Sequence, residues 1–298
     1  MKHLLSLEKL PVADIEKILR DAALFKRDRA RRDRLPLSGQ IWALLFSKSS
    51  TRTRVSFEVG IRELGGQTLF LSANELQLGR GEPIQDTARV LGRMIHGAVV
   101  RTFAQADVEA FAEFSGIPTI NALTDDEHPC QILADIFTFK ELRGPVSGKI
   151  VTFIGDGACN VARSWIFAAA KMNFELRIAA PKKFLPSGEI LARAGGKIIC
   201  TADIEKAAKG ADLLYTDVWV SMGKEGESAE RLKLLDGYQI NRKLVKLAKP
   251  GAPVMHCLPA HRGKEIDLET FDANAGTIFT QAENRLHLQK AILNWAVS

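Results

Sequence analysis

The sequence lacks the features that hold together proteins without a large hydrophobic core. Its 298 residues include only four cysteines, Cys130, Cys159, Cys200 and Cys257, which lie far apart and form no CxxC pair. A disulfide framework or a structural zinc module needs more closely spaced cysteines, so we expect neither. No apolar run approaches the roughly 20 residues of a membrane-spanning helix, and the N-terminal residues lack the apolar core of a signal peptide. We therefore expect a cytoplasmic protein that does not associate with membranes.

The chain also lacks the concentrated positive charge expected of a protein that binds nucleic acid. Lysine and arginine number 41 and aspartate and glutamate 35, which gives a formal net charge of +6. The most basic stretch, residues 26–34, is interrupted by two aspartates and contains no aromatic side chain that would stack on a base. We predict no nucleic-acid partner. The modest excess of positive charge suits an anionic small substrate.

Apolar segments of strand length alternate with helical patterns along the whole chain. Residues 41–46 are continuously apolar, which is typical of a strand buried on both faces of a parallel sheet, and 51–64 has apolar residues at helical spacing. The alternation restarts after a linker-like stretch at 143–148. The sequence therefore predicts an α/β fold with two doubly wound parallel-sheet domains, 1–142 and 143–298. We expect the final helix, about 280–298, to pack back against the first domain.

Ligands of such sheets bind beyond the carboxyl ends of the strands, so the residues that follow each strand matter most. The predicted strands are 41–46, 68–71, 98–101, 119–122, 150–154, 175–179, 197–200, 213–216 and 254–256.

Hydroxyl and arginine side chains follow the first predicted strand, at Ser50, Thr51, Arg52 and Thr53. One serine is enough to cap a helix, whereas this stretch offers several hydroxyls and a pair of arginines. The unpaired N–H groups of a helix N-terminus, hydroxyl donors and a guanidinium together form an anion site that matches phosphate. An ordinary helix cap is the alternative.

Histidine and cysteine side chains follow two other predicted strands. His128 and Gln131 lie on one side of the first turn of a helix that begins near Pro129. A histidine beside a phosphate site can donate to a carbonyl oxygen whose negative charge grows in a transition state. A surface histidine is the alternative. Cys257 is flanked by histidines, which favour a thiolate, but an inert core cysteine is the alternative.

Two weaker motifs follow the predicted strands 150–154 and 213–216. Asp217 is a carboxylate that can hold a substrate ammonium. The glycine turn that starts at Gly155 is similar to a dinucleotide-binding loop, but Asn160 occupies the position of the third glycine, where a side chain hinders close packing. A nicotinamide-dependent oxidoreductase is therefore a disfavoured alternative.

Taken together, these segments resemble the aspartate/ornithine carbamoyltransferase family from one end of the chain to the other. The matching motifs are Ser50-Thr51-Arg52-Thr53-Arg54, His128-Pro129-Cys130-Gln131, Asp217-Val218-Trp219-Val220-Ser221-Met222-Gly223 and His256-Cys257-Leu258-Pro259-Ala260, with further matches at 86–91 and 281–285. The third and fourth motifs point to ornithine rather than aspartate as the acceptor. The resemblance implies transfer of the carbamoyl group of carbamoyl phosphate to the side-chain amine of L-ornithine, giving L-citrulline and phosphate, in arginine metabolism. Another amine acceptor, such as N-acetylornithine or putrescine, is the alternative.

The resemblance also implies roles for individual residues. Carbamoyl phosphate would be bound by Ser50, Thr51, Arg52, Thr53, Gln77, Arg101, His128, Gln131, Cys257, Leu258 and Arg285. Ornithine would be bound by Asn160, Asp217, Ser221 and Met222. The catalytic groups would be Arg52, Arg101, His128 and Cys257, with Cys257 positioning the amine or accepting its proton.

No metal or cofactor is expected, because the phosphate leaving group is already activated. The resemblance further implies a homotrimer or an assembly of trimers, in which Gln77 is lent to a neighbouring subunit. One departure from the family pattern lies at Cys159-Asn160, where many relatives have two adjacent asparagines.

Overall fold

The structure is a computed structural model that describes residues 1–29, 35–72, 81–220, 226 and 228–298. The chain forms two compact units, one of Met1–Phe137 with Asn284–Ser298 and the other of Thr138–Glu283. Each unit is an α/β structure with its own parallel sheet, which confirms the predicted fold class. Within the described part of the chain, no helix is long and apolar enough to cross a membrane.

The first unit contains a four-stranded parallel sheet in the order β2-β1-β3-β4. The strands are β1 (Ile41–Phe46), β2 (Gln67–Ser72), β3 (Gly97–Arg101) and β4 (Thr119–Leu123). The helices are α1 (Val12–Arg27), α2 (Thr51–Glu63), α3 (Ile84–Leu91), α4 (Gln105–Ser115) and α5 (Pro129–Arg143). The chain moves to opposite sides of β1 to form β2 and β3, so the topological switch point lies between β1 and β3.

The second unit contains a five-stranded parallel sheet in the order β7-β6-β5-β8-β9. Its strands are β5 (Ile150–Ile154), β6 (Glu175–Ala179), β7 (Lys197–Thr201), β8 (Leu213–Thr216) and β9 (Val254–His256). Its helices are α6 (Asn160–Met172), α7 (Gly188–Ala194), α8 (Ile204–Ala208), α9 (Ser228–Leu235) and α10 (Arg242–Val245), and α11 (Leu268–Val297) begins in this unit. A 3-10 turn lies at Lys182–Phe184. The switch point of this sheet lies between β5 and β8.

All nine predicted strands are present, with bounds that differ from the prediction by no more than one residue. The final helix was predicted from 280 but begins at Leu268, because the carboxylate of Asp267 accepts the N–H of Thr270 at 2.6 Å and caps it. The short helices α7 to α10 were not predicted. They offer few apolar residues to a periodicity argument, and α7 buries none.

The last part of α11 belongs to the first unit, as the sequence analysis expected. Lys290 Nζ donates to Glu63 Oε2 at 2.8 Å, so the end of α11 is tied to α2 by a largely buried ion pair. The first passage between the compact units falls at Phe137 and Thr138, inside α5. The helical pattern of α5 continues through that point, so the sequence offers no break there. The domain boundary after residue 142 stays a prediction.

We predict that Gly97→Ala lowers the free energy of unfolding by about 1–3 kcal/mol, because overpacking forces neighbouring groups to move. A Cβ at position 97 would lie 2.6 Å from ring atoms of Trp42. That indole is fully buried and its Nε1 donates to Gln40 at 3.0 Å, so the ring has little freedom to yield. Urea unfolding measures the effect.

The matched control is Gly276→Ala, at an exposed position of α11 where an added Cβ meets nothing within 4 Å. This substitution is expected to raise the free energy of unfolding by about 0.5–1 kcal/mol, because alanine restricts the unfolded chain. Equal effects of the two substitutions would contradict the packing assigned to the start of β3.

Candidate active site

The N-terminus of α2 directly follows β1 and presents polar groups at the switch point of the first sheet. Ser50 is extended (φ −166°, ψ 111°) and its Oγ accepts the N–H of Thr53 at 3.3 Å, so the predicted helix cap is real. The same hydroxyl donates to Thr53 Oγ1 at 3.0 Å. Thr51 is exposed and Arg52 is half-buried in this first turn. The cap therefore uses one serine and leaves the other side chains of the turn for a different role.

Two buried arginines lie beside this helix N-terminus. Arg285, from α11, donates from one terminal nitrogen to Thr53 Oγ1 at 2.8 Å. Arg101 ends β3, and its Nε donates to the carbonyl oxygen of Lys48 at 3.2 Å. The charges of both guanidinium groups act on His128. Three residues predicted to bind carbamoyl phosphate, Arg101, His128 and Arg285, are thus brought together from distant parts of the sequence, and the two arginines make this neighbourhood electropositive.

His128 is buried next to these cations. Burial lowers the pKa of the imidazole well below its ordinary value, and the positive charges of Arg285 and Arg101 lower the pKa further. The ring is therefore neutral at neutral pH and carries one N–H. A neutral imidazole donates one hydrogen bond without adding a charge, which suits an uncharged carbonyl oxygen.

Gln131 lies in the first turn of α5, three residues after His128, and is almost completely buried. Its Nε2 donates to Asp135 Oδ1 at 2.8 Å, which fixes the orientation of the amide. Its Oε1 is buried and has no hydrogen-bond partner among the described residues. A buried acceptor without a donor destabilises the protein, so this oxygen is suited to a ligand that brings an N–H group.

The loop before α5 is held in place by a buried carboxylate. Glu127 accepts hydrogen bonds from the hydroxyl of Ser6 and from the N–H of Leu7, the latter at 2.9 Å. Lys48, after β1, is also buried, pairs with Asp125 and lies 4.3 Å from the centre of the Phe103 ring. These contacts fix the loops on both sides of the electropositive neighbourhood.

In the second unit, the loops after β8 and β9 meet at Asp217 and Cys257. Cys257 Sγ donates to Asp217 Oδ1 at 2.8 Å, and the N–H of Val218 donates to the same oxygen at 2.8 Å. Burial raises the pKa of Asp217, while the hydrogen bonds from Cys257 and Val218 partly oppose this rise. Oδ2 of Asp217 has no hydrogen-bond donor among the described residues, so one carboxylate oxygen is available to a ligand.

His256 holds the turn after β9. Its Nδ1 accepts the N–H of Leu258 at 2.8 Å, and its Nε2 lies 3.2 Å from Glu265 Oε1, so the hydrogen bonds assign the ring proton to Nε2. The main-chain N–H of His256 donates to Gln281 Oε1 at 3.0 Å. Leu258 has a left-handed backbone (φ +59°), a conformation that costs a leucine free energy and that the His256 contact maintains.

Asp217, His256 and Cys257 also form a potential metal-ligand group, because one ligand atom of each lies within 4.8 Å of the others. Both ring nitrogens of His256 already take part in hydrogen bonds, and the thiol of Cys257 already donates to Asp217. A metal ion would have to replace these bonds. Hydrogen bonding therefore accounts for the cluster, and we assign it no metal.

The loop after β5 starts α6 with Cys159 and Asn160. Cys159 is the helix N-cap, and its Sγ accepts the N–H of Ala162 at 3.4 Å. Burial raises the pKa of this thiol well above its ordinary value, and the negative charges of Asp156 and Asp217 raise the pKa further. The loops after β5 and β8 therefore come close enough together for their charges to interact.

The glycines of this loop have packing roles rather than a dinucleotide-binding role. Gly155 has a φ of +132°, which other residues rarely adopt. A Cβ at Gly157 would lie 2.5 Å from Ile178 Cγ2. The turn is thus explained by its own neighbours, which removes the observation behind the oxidoreductase alternative.

Comparisons with known proteins agree with this geometry. The model of the carbamoyl-P binding domain of aspartate/ornithine carbamoyltransferases matches residues 2–141, and the model of their Asp/Orn binding domain matches residues 147–296. The chain belongs to the aspartate/ornithine carbamoyltransferase family. The predicted family is thereby confirmed.

Individual members of the carbamoyltransferase family match over nearly the whole chain. An ornithine carbamoyltransferase of Akkermansia muciniphila is 54% identical over 98% of this chain and 97% of its own, and one of Nitrosococcus oceani is 49% identical over 98% and 96%. A solved ornithine carbamoyltransferase of Pyrococcus furiosus has a TM-score of 0.91 and 43% identity over 98% and 96% of the two chains. An anabolic one from Campylobacter jejuni has a TM-score of 0.93 and 40% identity, with 99% of each chain covered.

Three of the predicted site residues, Gln77, Ser221 and Met222, lie outside the described residues. Sequence reasoning in turn missed Asp135, Glu265 and Arg231. Asp135 is four residues from Gln131 on one helix, a spacing that places the two side chains on one face and was open to prediction. Glu265 and Arg231 reach the loops of the second unit only through the tertiary fold, and no local pattern marks them.

We predict that His128 makes the stability of the protein decrease as the pH falls below 6.5, the ordinary pKa of histidine. Below that pH the unfolded chain takes up a proton on His128, whereas the folded protein does not until its lowered pKa is reached. The loss is at most about 1.4 kcal/mol per pH unit for one histidine. Urea unfolding of the wild type and of His128→Asn at about pH 5.5 and about pH 7.5 measures it. Equal pH slopes for the two proteins would contradict the neutral state of His128.

Proposed function

We propose that this protein is an ornithine carbamoyltransferase, which transfers the carbamoyl group of carbamoyl phosphate to the side-chain amine of L-ornithine and yields L-citrulline and phosphate. The observation that carries the proposal is the convergence of Arg101 and Arg285 on a neutral, buried His128 beside the N-terminus of α2. This arrangement suits a ligand with a phosphate and a carbonyl oxygen. The similarity to proteins named ornithine carbamoyltransferase supports the acceptor.

The phosphate group is proposed to bind at the start of α2. Ser50, Thr51, Arg52 and Thr53 supply hydroxyls, main-chain N–H groups and a guanidinium at the positive end of the helix dipole. Arg101 is proposed to reach both the phosphate and the carbamoyl oxygen. Because the leaving phosphate becomes more negative as the bond breaks, these donors bind the transition state more tightly than the substrate.

The carbamoyl group is proposed to bind between donors and an acceptor that match its two ends. His128 donates its N–H to the carbamoyl oxygen, which becomes negative in the tetrahedral intermediate. Gln131 Oε1 accepts from the carbamoyl –NH₂, and its fixed orientation through Asp135 makes the acceptor available. One correctly placed donor to a developing oxyanion contributes about 3–4 kcal/mol to lowering the barrier. The contributions of Cys257, Leu258 and Gln77 to this pocket stay predictions.

The amino-acid end of ornithine is proposed to bind at Asp217 and Asn160, together with Ser221 and Met222. Asp217 offers its Oδ2 to the α-ammonium, while Cys257 and Val218 hold Oδ1. Because burial disfavours the bare carboxylate, a bound ammonium compensates the charge. An acylated amine, as in N-acetylornithine, would leave Asp217 without that partner.

The side-chain amine must lose a proton before it attacks. An alkylamine has a pKa near 10.4, so forming the neutral amine at neutral pH costs roughly 4–5 kcal/mol. A position near the buried arginines lowers that pKa, because a second positive charge is disfavoured there. The hydrogen bond from Cys257 to Asp217 supports a positioning role for this cysteine rather than a role as proton acceptor.

We further propose the expected assembly, a homotrimer or a set of trimers, for the protein in the cytoplasm. The first unit exposes apolar side chains that an assembly would cover, such as Val55, Leu69 and Met94, which are 53%, 42% and 67% exposed. These side chains support self-association but do not select a number of subunits.

Acceptor specificity tests the proposed function directly. With carbamoyl phosphate as donor, we expect ornithine to yield citrulline and an equal amount of phosphate. We expect kcat/KM for ornithine to exceed that for N-acetylornithine, putrescine and aspartate by about 100-fold. N-acetylornithine leaves the buried Asp217 without a cation, putrescine lacks the carboxylate proposed to contact Asn160, and aspartate has no side-chain amine. A colorimetric citrulline assay with parallel phosphate release measures both. Comparable activity with N-acetylornithine would refute the role of Asp217.

Asp217→Asn tests the acceptor site itself. We expect KM for ornithine to rise about tenfold or more, since a hydrogen bond between charged groups is lost, while the Kd for carbamoyl phosphate stays unchanged. The control is Asp212→Asn, at the other end of β8, where the carboxylate accepts Ile150 N–H at 2.9 Å and pairs with Lys249. The control is expected to lower stability without changing KM. Similar KM values for both variants would contradict the assignment.

A further inference from the structure

Arg231, in α9, is a buried charged side chain that the proposed chemistry does not use. Its side chain is only 8% exposed. Nε donates to the carbonyl oxygen of Trp219 at 3.0 Å, and a terminal nitrogen pairs with the carboxylate of Asp156. The guanidinium carbon lies 4.6 Å from the centre of the Phe184 ring. One side chain thus contacts three separate segments of the second unit.

Two of these segments lie on opposite sides of the switch point of the second sheet. Asp156 follows β5 in the loop that leads to Asn160, and Trp219 lies two residues after Asp217 in the loop that follows β8. These loops carry the groups proposed to bind ornithine. Arg231 therefore contacts both loops of the proposed acceptor site from α9, without belonging to either loop.

Asp156, which pairs with Arg231, also forms hydrogen bonds with the residues that lead into α6. Its Oδ1 accepts the N–H of Ala158 at 3.0 Å, and its carbonyl oxygen accepts the N–H of Cys159 at 3.3 Å. The side chain of Trp219 packs on the same loop, because its Cδ1 lies 3.8 Å from where a Cβ at Gly155 would be. Fixing Asp156 and Trp219 together therefore fixes the distance between Asn160 and Asp217.

Arg231 also determines which carboxylate is left for a substrate ammonium. Asp156 and Asp217 both act electrostatically on the thiol of Cys159, so the two carboxylates lie near each other. Arg231 pairs with Asp156, whereas the hydrogen bonds of Asp217 come from the uncharged donors Cys257 and Val218. Asp156 is therefore already paired with a cation, whereas the described hydrogen bonds of Asp217 leave it able to pair with a substrate ammonium.

We propose that Arg231 is a positioning residue for the acceptor site, which holds Asp217 and Asn160 at the separation that an α-amino acid group requires and neutralises the competing Asp156. The inference rests on the proposed function, because it concerns the recognition of ornithine. Its consequence is a selective effect on the second substrate. A merely structural arginine would lower stability and leave the ornithine KM unchanged.

The chain supplies a matched control in Arg177, a second largely buried arginine of the same unit. Arg177 pairs with Glu175 and donates to the carbonyl oxygens of Ala207 and Lys209 at 3.1 and 2.7 Å. Its contacts involve β6 and α8 and none of the loops that carry Asn160 or Asp217. Arg177→Met therefore removes a comparable set of bonds away from the site.

The test compares Arg231→Met, Arg231→Lys and Arg177→Met with the wild type in the full chain. We expect Arg231→Met to raise KM for ornithine about tenfold or more, with the Kd for carbamoyl phosphate within about twofold of the wild type. Arg231→Lys keeps the charge but loses the fork of donors, so a partial recovery is expected. Arg177→Met is expected to lower the urea midpoint and leave KM unchanged.

Asp156→Asn separates the charge from the packing and keeps the inference testable if Arg231→Met does not fold. This variant is expected to raise KM for ornithine as Arg231→Met does, and the double variant Asp156→Asn with Arg231→Lys is expected to show less than the product of the single effects. An ornithine KM equal to that of the wild type in Arg231→Lys and Asp156→Asn would overturn the inference.

Citrulline formation by the wild type tests the proposed function separately from the role of Arg231. If the wild type forms no citrulline from ornithine, that function is wrong whatever Arg231 does. Calorimetric titration of ornithine into the wild type and the variants then still tests Arg231, because the inference requires binding that weakens about tenfold in Arg231→Met or Asp156→Asn and by a smaller factor in Arg231→Lys. Ornithine binding that is absent from the wild type, or equal in all proteins, overturns it.

Discussion

A charged side chain in the interior of a protein costs free energy unless a partner or ligand compensates its charge. This cost shapes the buried charged groups at the carboxyl end of each sheet. In the first unit, Arg101 and Arg285 are buried beside His128, and their charges together with burial keep the imidazole neutral. In the second unit, burial acts on Asp217 in the opposite sense and disfavours its negative charge. One unit is thus prepared for an anion and the other for a cation, each at the switch point of its own sheet.

This electrostatic difference is consistent with the proposal that the first unit binds carbamoyl phosphate and the second unit binds ornithine. In the proposed reaction, a phosphate binds to the arginines of the first unit, and an ammonium binds to Asp217. Neutral groups then handle the carbamoyl moiety, since His128 and Gln131 offer one donor and one acceptor without net charge. As proposed, the positive neighbourhood binds the phosphate, whose negative charge grows as it leaves.

Most strands were predictable because they are short, largely apolar runs bounded by polar residues. The importance of the residues after them was predictable because parallel strands end at one edge of a sheet. The dual nature of the Ser50 segment was also visible, since its cap and its surplus hydroxyls are both local features. Contacts across long sequence separations were not visible. The bond from Arg285 to Thr53 and the contacts of Arg231 depend on how α11 and α9 pack, and no periodicity encodes such pairings.

Cys159 departs from the family pattern but still caps the N-terminus of α6. An asparagine at a helix N-cap accepts an N–H through its side-chain oxygen, and Cys159 accepts the N–H of Ala162 through sulfur instead, at 3.4 Å. The start of α6 is therefore preserved, and with it the place of Asn160. Because the thiol remains protonated beside Asp156 and Asp217, it adds no negative charge there. In the proposed acceptor site, Asn160 and Asp217 recognise the amino-acid end of ornithine, so the distance between their loops determines how well they fit it.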